Sequence, residues 1–233
     1  MSSDTIQHEA DHGHHEAPEV VEGRQRLGIW LFIVGDVIML ASFLFTYLYL
    51  RGTNTQKGWM TYLEGNSDSP NFGKAVSEKV LSSGLNWAIV AVTVLSAAVV
   101  WFGEKHLRSR QSGAGSFSLI AAVGGLLAIV ATVLTIIQLR SIDMHVPFHP
   151  LSQSAHEYVY TAYGSAEILL NGSSLIHLII LAFLGFGLAI RASKGLVSSE
   201  GLKWSQARFV RFFWVWVALG SVITAAVTSL INK

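Results

Sequence analysis

Apolar and polar positions occur along this chain in long blocks, not with the short period of a soluble protein. Apolar segments occupy residues 27–50, 85–103, 116–139, 163–190 and 209–231. A helix needs about 20 residues to cross the ~30 Å hydrocarbon core of a bilayer. The second and third segments, and residues 212–231 of the fifth, contain no Asp, Glu, Lys, Arg or His. The pattern predicts an all-α fold, a polytopic membrane protein built as a bundle of five transmembrane helices.

The first 26 residues differ from the rest, because they are rich in acids and histidines and contain no apolar run. They are not a signal peptide, and we predict a flexible His-rich cytoplasmic tail, followed by one membrane domain over 27–233. The four histidines of the tail could bind a metal ion, but a solvated leader is the favoured interpretation.

The distribution of Lys and Arg predicts the orientation. Five crossings place the two ends of the domain on opposite sides of the membrane. The side of the tail carries Arg24, Arg26, Lys105, Arg108, Arg110, Arg191, Lys194, Lys203, Arg208 and Arg211, and the other side carries Arg51, Lys57, Lys74, Lys79, Arg140 and Lys233. By the positive-inside rule the N-terminus is cytoplasmic and the C-terminus is periplasmic or exterior, in what we expect to be a bacterial plasma membrane.

Composition excludes several classes of protein. The chain is 51% hydrophobic and 13% charged, which excludes a disordered or ordinary soluble protein. It contains no cysteine, which excludes disulfides, thiolate metal sites and a cysteine nucleophile. A net charge of +1 gives no reason to expect a nucleic-acid partner.

Small residues inside the apolar segments predict close helix packing. They occur at Gly124-Gly125 and at Gly185-Phe186-Gly187. Because backbone polar groups must be satisfied within each helix, strands are excluded from the membrane. We expect one broadly apolar face for lipid and another face, rich in small residues, for a partner subunit. Residues 52–84 are predicted to form a surface loop.

Asp36 is the sharpest candidate for chemistry. It lies near the middle of the first apolar segment, where a carboxylate costs about 2.5–3.5 kcal/mol on insertion scales. We expect it to face protein. It either shapes a proton route or a subunit contact, or it is a polar group satisfied by a neighbouring helix.

His177 lies near the middle of the fourth segment. A histidine that hydrogen-bonds to another helix is favoured over a metal or haem ligand, because no second ligand is evident at similar depth. Glu167, Asn171 and Ser174 follow i, i+4, i+7 spacing and should share one helix face. We expect Glu167 to lie near the outer end, hydrated and not buried.

An outer loop collects further candidate metal ligands, namely Asp143, His145, His149, His156 and Glu157. Pro147 argues against a continuous helix between the first two histidines, so a metal site there is not favoured. The chain has no nucleotide-binding glycine loop and no supported Ser-His-Asp pattern. The motifs argue against a catalytic centre and a metal site of its own.

Several segments together resemble subunit III of the haem-copper oxidases, the family of cytochrome c and quinol oxidases. The run from Arg26 through Trp30 to Asp36 resembles the first core helix of that family, which here ends at Tyr47 and Arg51. Tyr163-Gly164-Ser165, with Gly172 and His177, resembles a second family motif. Phe209 and Trp214 resemble the motif of the final helix. The resemblance covers most of residues 24–231 and is to the five-helix form.

The chain departs from the family pattern at four places. The acidic residue of the first helix is Asp36 where the family often has Glu. Ser174 replaces the first histidine of a His-x-x-His pair, so only His177 carries over. Arg208 and Arg211 stand where the last motif has His and Asp. Glu167 stands at a position that is usually aromatic.

The resemblance implies a supporting role in a proton-pumping terminal oxidase. Subunit III binds no haem or copper; it packs against subunit I, which holds both, stabilises it and assists proton uptake. The expected partners are subunit I, subunit II and possible further respiratory subunits, together with membrane lipids, and bound phospholipid is expected. Wider occurrence favours a cytochrome c oxidase.

Three alternatives stay open. The chain could belong to a quinol oxidase, towards which Asp36 and the His-rich tail lean. It could be an autonomous transporter, which would need polar residues from several helices near the midplane, and helices two, three and five offer almost none. It could be a membrane metalloenzyme that uses the outer histidines.

Overall fold

The computed structural model describes residues 17–53, 61–63, 70, 75–77, 81–109, 113–141, 162–199 and 203–231. Within these ranges the chain forms five helices: α1 (Pro18–Thr53), α2 (Ser83–Arg108), α3 (Ala114–Arg140), α4 (Ala162–Ser193) and α5 (Ser205–Ile231). All five are long and apolar enough to cross a membrane. The predicted all-α polytopic bundle of five helices is confirmed.

The helices extend beyond the predicted boundaries at most of their ends. α1 begins at Pro18, so residues 18–26, predicted to be flexible, are helical, whereas residues 1–16 of the tail lie outside the described residues. Proline is suited to the first turn of a helix, and the negative charge of Glu19 in that turn interacts favourably with the positive end of the helix dipole. α2 continues past the predicted Gly103 to Arg108. Hydropathy locates the hydrocarbon core, whereas helices continue into the polar interface.

A short antiparallel pair of strands lies between α1 and α2, in the segment predicted as a surface loop. Strand β1 (Thr61–Leu63) pairs with β2 (Ala75–Ser77), with Tyr62 opposite Val76. The exclusion of strands holds for the five apolar segments, because the pair lies outside them.

Successive crossings bring the two sets of helix ends together. We call the end that holds the start of α1 the Pro18 end, and the end that holds its last residue the Thr53 end. The Pro18 end also contains the C-terminus of α2 and the N-terminus of α5. There the Trp204 ring lies 5.1 Å from the Arg108 guanidinium and 5.6 Å from that of Arg208. Such aromatic and basic residues are typical of a membrane interface.

Glycine allows α3 and α4 to pack backbone against backbone. A Cβ atom placed on Gly185 would lie 2.6 Å from the Cα of Gly125. The predicted close packing is therefore confirmed. Gly125 and Gly185 face each other inside the bundle, whereas Gly187 is exposed. That a face rich in small residues contacts a partner subunit stays a prediction.

Helix α1 is the least enclosed element. It contacts α4 and α5, but less extensively than α3 contacts α2 and α4 or than α5 contacts α2. The main core of the bundle includes Trp214, Val100 and Leu181. Most large apolar side chains of α1 are exposed, among them Leu31, Phe45 and Ile38. The consequence is a broad apolar surface for lipid or for a partner.

Candidate functional site

The centre of the bundle contains a cluster of three polar side chains from three helices. His177 of α4 lies with its Nε2 atom 2.8 Å from Oδ1 of Asp36 on α1. The indole Nε1–H of Trp216, on α5, donates to the other oxygen of the same carboxylate. We call Asp36, His177 and Trp216 the central triad.

Helix geometry explains why these three residues meet. At 1.5 Å per residue, Asp36 lies about 25 Å from the Thr53 end of α1, and His177 and Trp216 lie about 22 Å from the same end of their helices. The Nδ1 atom of His177 lies 2.7 Å from the backbone oxygen of Ser173, one turn earlier. Since both ring nitrogens and both carboxylate oxygens have partners, the triad is internally satisfied.

The inter-helix hydrogen bond expected of His177 is thus present. Asp36 is 9% exposed and faces protein, as expected. Its oxygens are bonded within the chain, so a subunit contact is not needed to satisfy them. Whether the carboxylate also handles protons remains a prediction.

A cavity of about 50 Å³, which we call the central cavity, adjoins the triad. Its lining comes from all five helices, and it reaches from Asp36, His177 and Trp216 towards the Thr53 end. The polar residues of that part are Asn86, Thr135, Asn171, Ser173, Ser174, Ser221 and Thr224. A water molecule needs about 10–15 Å³ of such space, so the cavity has room for a few waters.

The shared face predicted for Glu167, Asn171 and Ser174 is confirmed in part. Asn171 and Ser174 both line the cavity, and the amide of Asn171 donates to Oε2 of Glu167 over 2.8 Å. The expectation that Glu167 is hydrated is wrong, because its side chain is completely buried. Its position in the second turn of α4 still places it near the Thr53 end, as predicted.

A second polar network lies near the Thr53 end of the bundle. Gln138 of α3 donates its amide to Oδ1 of Asn86 on α2, and Asn86 donates to Thr228 of α5 over 3.1 Å. Sequence reasoning missed this network. The sequence signal that could have revealed the network is the presence of uncharged polar residues near the ends of the apolar segments.

A buried ion pair lies near the Pro18 end. Arg211 of α5 donates through Nη1 to Oε2 of Glu104 on α2, at 2.7 Å, and Glu104 is almost fully buried. The guanidinium also lies 4.9 Å from the rings of both Trp101 and Phe212. The pair escaped prediction because Glu104 lies just beyond the predicted end of α2.

The residues of the family motifs fall into two groups. Tyr47, Tyr163, Gly164, Phe209 and Trp214 are buried. Tyr163 accepts from the backbone N–H of Leu81 at 3.0 Å. Trp214 donates to Ser96, whose hydroxyl donates to the backbone oxygen of Gly124, each over 2.8 Å. The motif residues at or near the surface are Trp30, Arg51, Ser165 and Gly172.

The structure does not bring the other candidate residues into this site. His106 is exposed in the last turn of α2. The histidines of the tail and Asp143, His145, His149, His156 and Glu157 lie outside the described residues. Among the residues that are described, no group of three or more His, Cys, Asp or Glu could hold a metal ion.

No protein-family model matches the chain, and no curated protein matches it.

Proposed function

We propose that this chain is the noncatalytic subunit III of a haem-copper terminal oxidase, in the first instance a cytochrome c oxidase that reduces O₂ in aerobic electron transport. In this role it stabilises subunit I, which holds haem and copper, and assists proton uptake. It contributes to the enzyme as a subunit of a proton-pumping translocase and has no catalytic centre of its own.

One observation carries the proposal. Asp36 and His177 belong to two motifs of the resemblance, 141 positions apart, and their side chains hydrogen-bond at 2.8 Å in the middle of the bundle. If the two family motifs keep an acid and a histidine for a structural reason, the two side chains should contact each other in the folded chain, as Asp36 and His177 do. The five-helix architecture supports the same assignment.

The exposed side of α1 supports a partner surface. Gly28, Gly35 and Ser42 recur every seven residues, a spacing that keeps them on one side of the helix, and all three are exposed. A Cβ atom added to Gly28 or Gly35 meets nothing within 4 Å. Small residues let a partner helix approach closely in a membrane, so we assign this strip to subunit I, with lipid on the adjoining apolar surface.

Copurification from native membranes tests the assignment. The chain, tagged at its C-terminus, is solubilised in mild detergent, and the isolated complex is analysed by mass spectrometry and by reduced-minus-oxidised absorbance. We expect a subunit I, a subunit II and haem absorbance in the complex, and no haem in this chain after separation. Recovery of the chain without any haem protein would contradict the proposal.

A matched pair of variants tests the partner strip. Gly35→Leu places a bulky side chain on the exposed strip of α1, and Gly187→Leu places one on an exposed part of α4, where an added Cβ also meets nothing within 4 Å. Both variants should fold. Gly35→Leu should lower the recovery of subunit I about tenfold, a loss of about 1.4 kcal/mol in association, and Gly187→Leu should leave it unchanged. Equal recovery of subunit I with both variants would contradict the assignment of this strip to subunit I.

The electron donor separates the first alternative. A quinol oxidase would oxidise quinol and not cytochrome c, so the two donors are supplied in turn to the isolated complex. If the complex consumes oxygen with quinol and not with cytochrome c, the chain belongs to a quinol oxidase of the same family.

An autonomous transporter gains support from one observation. Polar residues from all five helices line or border the central cavity, including Asn86, Thr135 and Thr224 of the helices that had seemed to offer almost none. Transporter sites are built in this way near the midplane. The chain reconstituted alone in vesicles distinguishes the two functions, because a transporter would move solute or protons there and an oxidase subunit would not.

A further inference from the structure

The central cavity carries polar groups on one side of the central triad and meets aromatic rings on the other. Towards the Thr53 end its lining includes the hydroxyl groups of Ser174, Ser221 and Thr224, beside apolar side chains such as Ile89 and Val90. Towards the Pro18 end the ring of Phe213 lies 6.0 Å from that of His177. The rings of Phe32 and Phe213 pack edge to face, with their centroids 5.5 Å apart. The two directions away from the triad therefore differ in polarity.

A buried hydroxyl in the cavity has no hydrogen-bond partner among the described residues. Thr224 is 4% exposed, and its Oγ1 atom makes no hydrogen bond within the described part of the chain. An unsatisfied buried hydroxyl costs about 1–3 kcal/mol, so a bound partner is expected. Ser174 and Ser221 donate to the backbone oxygens of Leu170 and Ala218, and each hydroxyl oxygen keeps its capacity to accept.

The cavity is suited to water. Its volume of about 50 Å³ exceeds what one water needs, and water makes two to four hydrogen bonds in such sites. By helical rise, Thr224 lies about 10 Å below the Thr53 end of α5 and the triad lies about 22–25 Å below the same end. Waters in the cavity, together with these hydroxyls, would span much of the distance between them.

We propose that the cavity is a water-binding site through which the Asp36–His177 pair exchanges its proton with the Thr53 end of the bundle and not with the Pro18 end. A proton that arrives through the waters adds to a carboxylate oxygen of Asp36 or to the imidazole of His177, and it leaves by the same route. The pair therefore holds a proton without passing it across the membrane. The Phe213 and Phe32 rings exclude water from the other direction.

This inference does not depend on the oxidase assignment. In the orientation predicted from the basic residues, the Thr53 end faces the exterior. The site then has no part in taking up protons from the cytoplasm.

Thiol accessibility tests the route in the full chain in native membranes. The chain contains no cysteine, so single substitutions report unambiguously. Thr224→Cys and Ser174→Cys place a thiol in the cavity. Thr93→Cys is the matched control, because Thr93 is completely buried on α2 and does not line the cavity. Exposed Thr53→Cys and Ser193→Cys mark the two ends.

Silver ion, which is small and reacts with thiols in contact with water, is applied to either side of sealed vesicles. The thiols that remain free are then counted with a maleimide after denaturation. Thr224→Cys and Ser174→Cys should be blocked at least about tenfold faster than Thr93→Cys, since reaction requires an accessible thiolate. The faster block should come from the side that blocks Thr53→Cys. Rates equal to that of Thr93→Cys, or block from the Ser193→Cys side, would overturn the proposal.

Two indole groups on α5 give a second measurement. The Trp216 indole N–H bonds to Asp36 beside the cavity, whereas that of Trp214 bonds to Ser96, and both of these residues are completely buried away from the cavity. In the ¹⁵N-Trp-labelled chain in lipid nanodiscs, the Trp216 N–H should exchange with D₂O at least about tenfold faster. Thr224→Leu, which fills the cavity without removing a protein hydrogen bond, should slow it towards the rate of Trp214. Two results would contradict the proposed route: equal exchange rates of the Trp214 and Trp216 N–H groups in the unaltered chain, or fast exchange at Trp216 that Thr224→Leu does not slow.

Discussion

The Asp36–His177 and Glu104–Arg211 contacts, both within the described residues, are buried acid–base contacts whose surroundings differ. In the central triad both oxygens of Asp36 and both ring nitrogens of His177 have partners, and the triad adjoins a cavity whose lining includes several hydroxyl groups. The Glu104–Arg211 pair lies near the Pro18 end among aromatic rings, and Oε1 of Glu104 and Nε of Arg211 have no partner within the described residues. A short ion pair is therefore not by itself a sign of a satisfied site.

This difference has a physical reason. Helix rise places Asp36 near the middle of its apolar segment, where no headgroup reaches, so its partners must come from the protein or from enclosed water. Glu104 lies in the last turns of α2, among basic residues at the interface. There the guanidinium of Arg211 satisfies one oxygen and its remaining surface packs against rings.

Breaking the pair at the Pro18 end should have the largest effect on stability. Arg211→Met leaves Glu104 buried without a counter-charge, which typically costs about 3–5 kcal/mol of unfolding free energy. Unfolding in a denaturing-detergent titration measures the loss. Adding Glu104→Met to the same chain should restore most of it, because a buried pair is often replaced by apolar residues at little cost. A double variant as unstable as Arg211→Met alone would refute this account.

Removing the carboxylate of the triad should have a smaller effect. Asp36→Ala leaves the His177 ring and the Trp216 indole without their acceptor, at a cost of about 1–3 kcal/mol. Water from the adjoining cavity would compensate part of that loss. Asp36→Asn retains one acceptor oxygen and should lose less than Asp36→Ala in the same titration. A loss for Asp36→Ala larger than that for Arg211→Met would mean that the cavity is dry.

In the assembled enzyme, Asp36→Asn also tests the functional part of the comparison. Because the proposed route leads only to the Thr53 end, this variant should leave the rate of proton uptake from the cytoplasm unchanged, and if the triad assists the oxidase it should shorten the time over which the enzyme remains active. Proton release and oxygen consumption are measured together over many turnovers. Unchanged pumping and lifetime would restrict the triad to a structural role.

The smallest expected effect compares the two indoles of α5. Trp216→Phe removes one donor to a carboxylate that His177 also bonds, and inter-helix hydrogen bonds in membranes contribute about 0.6 kcal/mol on average. Trp214→Phe should cost more, because Trp214 is fully buried and its indole bridges to Ser96 and, through it, to Gly124. Reversal of that order would show that the triad, and not the core, depends more on its indole.

Particular residues show how far prediction from sequence reached. Asp36 and His177 were recognised separately, because a charged or titratable side chain is conspicuous in an apolar segment. Their contact could not be inferred, since it depends on the relative rotation of α1 and α4. Trp216 was missed although Trp214 was singled out, because neighbouring tryptophans in an apolar segment look alike until their helix is docked.

The hydration expected for Glu167 failed for a related reason. Its distance from the helix end was predicted well, but distance along a helix does not say which side faces its neighbours. The small residues of α3 and α4 were recognised as packing residues, yet which surface they would contact stayed open. The structure turns Gly125 and Gly185 towards each other.

The sequence by itself determined that the chain is an all-α bundle of five apolar helices, because hydrophobic length and backbone hydrogen bonding leave almost no other structure for such segments in a bilayer. It also determined which polar and titratable side chains lie within the apolar segments. Only the tertiary structure decided which of them meet, which stay unpaired and where space remains. Those outcomes depend on helix rotation and on close contacts of a few ångströms, and neither is encoded in the periodicity of a single segment.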